Sequence, residues 1–543
     1  MADDALKTVK RRAEDNAWFL LATLYGQPTI GIGDLELRLR NRRAWNRYMA
    51  NAIHPDVLKK LVGEGKYSAE ELNPSLASEI ELAYSERHKQ AGSAASTALP
   101  IEPWLAIDFS FDFSNLEFDE LYLEGFLFPS RITFARASFS GTTNFRNVSF
   151  LAPAYFGGAT FSDFAAFEHA IFYDYARFSG AIFSKGAYFE HTMFCADTLF
   201  DHVAFKQADF GRATFSNATF SKEADFSDAA FVERAEFHGT TFSGYTKFGR
   251  ATFSKEADFS AAIFSGGAYF HRATFPGDAY FGGATFSGDA YFGGATFSKE
   301  ADFSGATFSK EADFFCATFS GDAEFHGTIF GRATRFAGVI VEAKIGFVNA
   351  TMKGPASFEL AKFKGQPPRF YGAQLHEGTV WRYVSWPIPR SWDDAGEYVD
   401  AYERLKLEMD RLKKHEDELQ FFALELRSRR FLGRTPGISI AIYGLLCNYG
   451  RSYFLPLGWL LVTIVVGAAL FLTHFGLSKY PRAIGLSLAN TFAVLGFRKD
   501  FIDPNTIEAL SHILKVVSAV QTVAGIVLLF CFGLAIRNRF RMK

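Results

Sequence analysis

Glutamate and histidine stand side by side twice, in Phe167-Glu168-His169-Ala170 and in Phe189-Glu190-His191-Thr192, with 22 residues between the two copies. Imidazole nitrogens and carboxylate oxygens are donors that zinc and nickel accept, so a fold that stacks the two copies would gather four ligands. Repetitive chains also repeat surface residues with no chemistry attached. Glu168, His169, Glu190 and His191 are therefore weak metal-ligand candidates, and no metal or other cofactor is assigned. His238 and His271 are spaced by a multiple of eleven but fall on distant coils or different faces. No phosphate-binding glycine loop, GxSxG, HExxH or CxxC motif accompanies them, so no enzyme is expected. Cys195, Cys316, Cys447 and Cys531 lie far apart and read as free thiols in a reducing compartment.

The element that would position such pairs is written in the phenylalanines. The chain has 63 Phe and 46 Gly against 7 Trp and 6 Met, a skew that a repeated structural role produces. From Ala251 to Cys316 the blocks ATFSKEADFSA, AIFSGGAYFHR, ATFPGDAYFGG, ATFSGDAYFGG, ATFSKEADFSG and ATFSKEADFFC follow one another. Each is eleven residues long, with Phe253, Phe259, Phe264, Phe270, Phe275, Phe281, Phe286, Phe292, Phe297, Phe303, Phe308 and Phe314 spaced alternately by six and five. An alanine recurs two residues before each. A right-handed coiled coil shares this period, but the Gly, Ser, Thr and Asp of every block each cost up to roughly 1 kcal/mol against Ala in a helix. A solenoid with Phe and Ala inside and polar residues outside fits the pattern. These phenylalanines are thus a structural core.

In the Ala-x-Phe units the chain resembles the pentapeptide-repeat family, whose unit places a small residue two positions before a central Leu or Phe. The resemblance covers about half the chain, residues 105–373, and departs from a strict five-residue step by one extra residue in alternate units. It implies a mainly β fold, a right-handed quadrilateral β-helix with about 22 residues per turn, hence about twelve turns and near 60 Å at the usual strand spacing. Soluble relatives mimic duplex DNA and bind gyrase through an acidic stripe. Here Lys255, Glu256, Asp258, Lys299, Glu300, Asp302, Lys310, Glu311 and Asp313 mix both signs, so that reading ranks third and no nucleic-acid partner is expected.

Residues 1–98 read as a helical N-terminal region and linker, uncleaved, with Ala17 to Tyr25 a soluble helix. Arg38, Arg40, Arg42, Arg43 and Arg47 read as a solvated helix face in preference to a phosphate or headgroup patch. A Trp- and Pro-rich connector spans 374–393, and 394–434 reads as a helical hairpin breaking near Lys414 and His415, similar to the adaptor of membrane-bound relatives. In 452–540, Phe454 to Leu477 and Val516 to Ile536 each match the roughly 20 residues that cross a bilayer. Arginines precede the first and follow the second, which puts both flanks, the termini and the repeat on the cytoplasmic side. The resemblance implies a bacterial inner membrane. Between the spans, 482–497 is too short to cross and suits a re-entrant or interfacial helix. Asn490, Thr491, Gly496 and Phe497 there form a pore-like insert without the Thr-Val-Gly-Tyr-Gly ladder of a potassium filter. The expected function is a membrane-tethered scaffold with an unknown protein partner. The alternative is a channel or gated sensor, which needs a homo-oligomer.

Overall fold

A computed structural model describes residues 10–29, 34–74, 77–100, 109–206, 213–496 and 509–541. The chain divides into two compact units, Met1–Ser385 and Trp386–Lys543.

In the first unit, strands of two or three residues wind into a parallel β-solenoid with four faces, whose sheets hold 13, 12, 11 and 11 strands. About eleven turns of paired strands therefore stack, for a length of roughly 50 Å. Pairing runs in register from residue i to i+22, as in Asp258↔Tyr280↔Asp302. The step rises to 26 between Ala187 and Ala213 and stays so through Ala204↔Ala230, before returning to 22. Four extra residues are thus accommodated between Phe205 and Ala213 with every later face in register. Corners recur every eleven residues with a left-handed residue, as at Arg250, Ala261, Arg272, Gly283 and Gly294. Glycine is the cheap occupant there, and a non-glycine residue costs about 1 kcal/mol or more.

Inside, the rings stack in four columns. Phe281 lies 5.0 Å from Phe259 and 4.8 Å from Phe303, each pair within 2° of parallel. The neighbouring column meets it edge to face, Phe281 against Phe292 at 5.4 Å and 89°. Both rings are fully buried, as are Ala279 and Ala290 beside them. Burying one such ring contributes about 2–3 kcal/mol, and a favourable aromatic pair about 1 kcal/mol more. Threonine takes the alanine's place on some coils: Thr240 Oγ1 donates to the Phe215 carbonyl at 2.7 Å, whereas the buried hydroxyls of Thr143 and Thr246 have no hydrogen-bond partner among the described residues.

The N-terminal region closes the open end of the coil. It contains Ala17–Ala22 (α1), Leu35–Ala50 (α2), Pro55–Gly63 (α3) and Ala77–Ala91 (α4). Trp45 of α2 is fully buried on Phe111, Phe126 and Phe128, and its indole donates to the Leu127 carbonyl at 2.8 Å. Asn46 accepts from Leu127 N and donates to Gly125 O, so a side-chain amide completes the edge. One difference from the helical reading is the strand Arg11–Arg12, which pairs in parallel with Leu116–Phe118. At the other end, the first part of the stretch read as a connector is one more coil, through the bridges Thr351↔Gln374, Ser357↔Val380 and Lys362↔Ser385. Trp381 stacks on Phe358 at 4.5 Å in place of a phenyl ring.

In the second unit, Trp392–Arg411 (α5) and His415–Arg429 (α6) form a hairpin turning at Lys413, φ 56°. Tyr402 and Phe421 are fully buried there, with the Trp386 ring edge-on to both. Then come Arg434–Cys447 (α7), Phe454–Phe475 (α8), Tyr480–Thr491 (α9) and His512–Arg541 (α10). Helices α8 and α10 are both long and apolar enough to cross a membrane. α10 is longer than the 516–536 segment because helical bonding continues through its polar flanks, and α7 was not anticipated.

Phe292→Ala should lower the solenoid's stability by about 3–5 kcal/mol, whereas Phe315→Ala, on a half-exposed ring over which the Arg335 guanidinium sits at 4.4 Å, should cost about 1 kcal/mol or less. Urea unfolding midpoints check the contrast, and equal shifts would contradict the stacked core.

Candidate functional site

The solenoid does bring the two Glu-His pairs together. His169 and His191 occupy left-handed corners on adjacent coils, φ 59° and 55°, with their rings 5.0 Å apart and 6° from parallel. Ring nitrogens carry their lone pairs in the ring plane, so two stacked imidazoles aim them side by side and not at a common point. Glu168 is engaged by Arg146 at 2.5 Å. The four residues form a stacked surface ladder. Among the described residues, the His/Cys/Asp/Glu group whose ligand atoms lie close enough to hold an ion is Asp410, His415 and Glu418, at the α5–α6 turn. There His415 Nδ1 already lies 3.1 Å from the Glu418 carboxylate.

Charge is sorted between the faces of the coil. On one 11-stranded sheet the outward residues of successive coils are Glu236, Asp258, Tyr280, Asp302 and Glu324. The adjoining column holds Glu256, Asp278, Glu300 and Asp322, linked coil to coil by Ala257 N→Asp278 O, Ala279 N→Glu300 O and Ala301 N→Asp322 O. Eight carboxylates thus surround one half-exposed phenol. Burial first, and then Asp278, Glu300, Glu256 and Asp302, push the Tyr280 hydroxyl above its ordinary range. Cations bound the patch: Arg234 pairs with Glu256 at 3.0 Å and Glu236 at 3.2 Å, and Arg369 with Glu324 at 3.1 Å. Lys255, adjacent to Glu256 in sequence, reaches Glu233 of the preceding coil instead. The opposite face runs Asp225, Lys247, Tyr269, Tyr291, Asp313 and Arg335, with alternating signs and two stacked phenols 5.1 Å apart.

In the second unit Asn490 and Thr491 are buried and point at Gln521. The Gln521 amide nitrogen lies 2.5 Å from Ser487 Oγ, 3.1 Å from Thr491 Oγ1 and 3.2 Å from the Thr463 carbonyl, and its oxygen accepts from Asn490 Nδ2 at 3.4 Å. Gly525 lets α10 pass directly over the Thr491 backbone, where any side chain would collide. The side chains of Gln521, Ser487 and Thr491 are thus satisfied within one chain, whereas Asn490 Oδ1 is buried with no hydrogen-bond partner among the described residues. Gly496 follows a 3-10 turn with φ 85°, and Phe497 lies outside the described residues.

A comparison with protein-family models matches pentapeptide repeats (9 copies) at residues 145–193, 200–252, 248–296 and 292–340. The solenoid is built of pentapeptide repeats. No curated protein and no solved structure matches it. In this pentapeptide-repeat protein the arginines of α2 serve packing: Arg42 pairs with Glu71 at 2.5 Å, Arg38 sits over Tyr122 and Arg40 over Tyr25. Arg40, Arg43 and Arg47 also line a cleft of about 560 Å³ floored by Tyr25, Leu39 and Ile80.

Burial also leads in raising the Glu324 carboxyl above its ordinary range, with Asp322, Asp302 and Glu300 adding to it and Arg369 opposing. A folded-state pKa above the unfolded one costs stability at neutral pH, and the cost fades as pH falls through the folded pKa to the ordinary value of 4.5. Glu324→Gln should therefore melt higher than the parent at pH 7, with the gap closing on acidification. Thermal melts across that window decide it, and a gap that widens in acid would contradict the acidic-face assignment.

Proposed function

We propose that this protein is a non-enzymatic, membrane-anchored scaffold whose solenoid docks a cationic segment of a protein partner. The acidic column around Tyr280 carries this reading. Carboxylates held about 5 Å apart by a β-ladder repel one another, and a partner bearing lysine and arginine relieves that repulsion. An aromatic group at the centre of the patch supplies the apolar anchor that interfaces favour. The stripe spans five coils, about 20 Å, and cations bound it at both ends, which suits a short basic segment better than the long groove a duplex mimic must fill. For the anchor, α8 and α10 cross the inner membrane of a bacterium, and the arginines flanking both leave the termini and solenoid in the cytoplasm.

A photo-cross-linkable residue in place of Tyr280 in the full-length protein should capture a discrete partner in cells. The charge-neutral combination Asp278→Asn, Glu300→Gln and Asp302→Asn should abolish that capture with the circular dichroism unchanged. Capture that survives neutralisation would remove the acidic face from the mechanism.

The short helix α9, packed against both α8 and α10, favours a second reading, a cation pathway shared by several copies. The internal satisfaction of Gln521, Ser487 and Thr491 favours the anchor. Full-length protein in liposomes is expected to leave them tight. Ion flux that disappears on deleting residues 482–497 would replace the scaffold with a channel.

A further inference from the structure

Helix α7 is the part of the second unit that neither hairpin nor spans account for. It ends in the left-handed residues Asn448, Tyr449 and Gly450, and α8 starts four residues later at Phe454. One side of α7 is pinned. Gly444 lies against the Tyr449 ring, the Cys447 thiol donates to the Tyr443 carbonyl at 3.4 Å, and the Trp459 indole donates to the Leu445 carbonyl at 3.1 Å. The other side is bare: Ile438, Ile442 and Leu445 are 63%, 51% and 60% exposed. Their spacing of four and three puts them in one row, and soluble surfaces seldom leave such a row uncovered.

Three observations select the occupant. α8 starts seven residues after α7 ends, is tied to it by the Trp459–Leu445 hydrogen bond and itself exposes Phe454, Leu457 and Leu461, so the start of that span lies close to α7. Between Glu425 and Asp500 the sequence contains no acidic residue, while Arg427, Arg429, Arg430, Arg434 and Arg451 fall around α7. Fourteen residues make a helix of about 21 Å, too short for the roughly 30 Å hydrocarbon core but long enough to lie along its boundary. We infer that α7 is an interfacial helix that sinks Ile438, Ile442 and Leu445 into the phospholipid leaflet on the arginine-flanked side, so that a lipid surface is the ligand of this face. The inference rests on the membrane-anchor reading. α7 also packs on α6, so the leaflet fixes the α5–α6 hairpin through it.

The test uses full-length protein carrying Cys316→Ser, which removes the exposed native thiol, in vesicles of phosphatidylcholine and phosphatidylglycerol. An environment-sensitive fluorophore is placed at Ile442→Cys or, as a second position on the same row, Ile438→Cys, with Leu461→Cys reporting on the span. A label about 5–10 Å below the headgroups is quenched by lipids spin-labelled near the carbonyls and shielded from aqueous iodide, which is the result expected at 442 and 438. Quenching at both positions by iodide, with 461 quenched by deeply spin-labelled lipid, would overturn the inference and leave the anchor standing. Iodide quenching at 461 as well would overturn the anchor and the inference with it.

Discussion

A phenyl ring stacked on the ring of the next coil needs its partner about 5 Å away, and hydrogen-bonded β-strands supply that spacing. The coincidence sets nearly everything else in the first unit. Phe259, Phe281 and Phe303 keep contact only while their strands stay in register, and the strands stay in register only while each turn brings the chain back to the same face. A compact residue two positions earlier is the other half of the constraint; it is usually alanine, with Thr240, Ile132 and Ile345 buried in the same place on other coils. Even the ends obey it, with Trp45 covering the first rings and Trp381 the last.

An interior that is the same at every level leaves the outward positions as the place where one coil can differ from the next. They are used unevenly. One face gathers carboxylates around Tyr280, and the opposite face alternates signs and stacks Tyr269 on Tyr291. The second unit inverts this arrangement, with a polar centre at Gln521 and an apolar exterior in which Leu461, Val520 and Phe530 are more than half exposed. Water suits the outside of the first unit and lipid that of the second.

The period of eleven made the coil legible in the sequence because a stacked interior repeats one residue type at fixed intervals. Both long apolar helices were legible from length alone. Other features were hidden for physical reasons. The last coil was missed because Trp381 satisfies the stack without being part of an Ala-x-Phe unit. The Arg11–Arg12 strand is too short to show alternation. Charge segregation was invisible because it depends on which residues fall one coil apart: Glu256, Asp278, Glu300 and Asp322 are far apart in the chain yet line one column, while Lys255 reaches Glu233 of the preceding coil, so a sequence that reads as balanced folds into an acidic face. α7 contains Pro436 and two glycines, which mask an apolar row that appears only once its other side is packed.

The register shared by all four faces also limits how the gene can change length. Two eleven-residue blocks make one turn, so neighbouring blocks such as ATFPGDAYFGG and ATFSGDAYFGG occupy opposite sides of the rod. Recombination that drops or gains a single block keeps phenylalanine over phenylalanine and preserves the fold, yet it rotates every later outward residue by half a turn and splits the acidic face between two sides. Only paired duplications or deletions keep the faces intact. Heritable variation in the length of this rod should therefore be tolerated in steps of a whole coil, about 4.8 Å each.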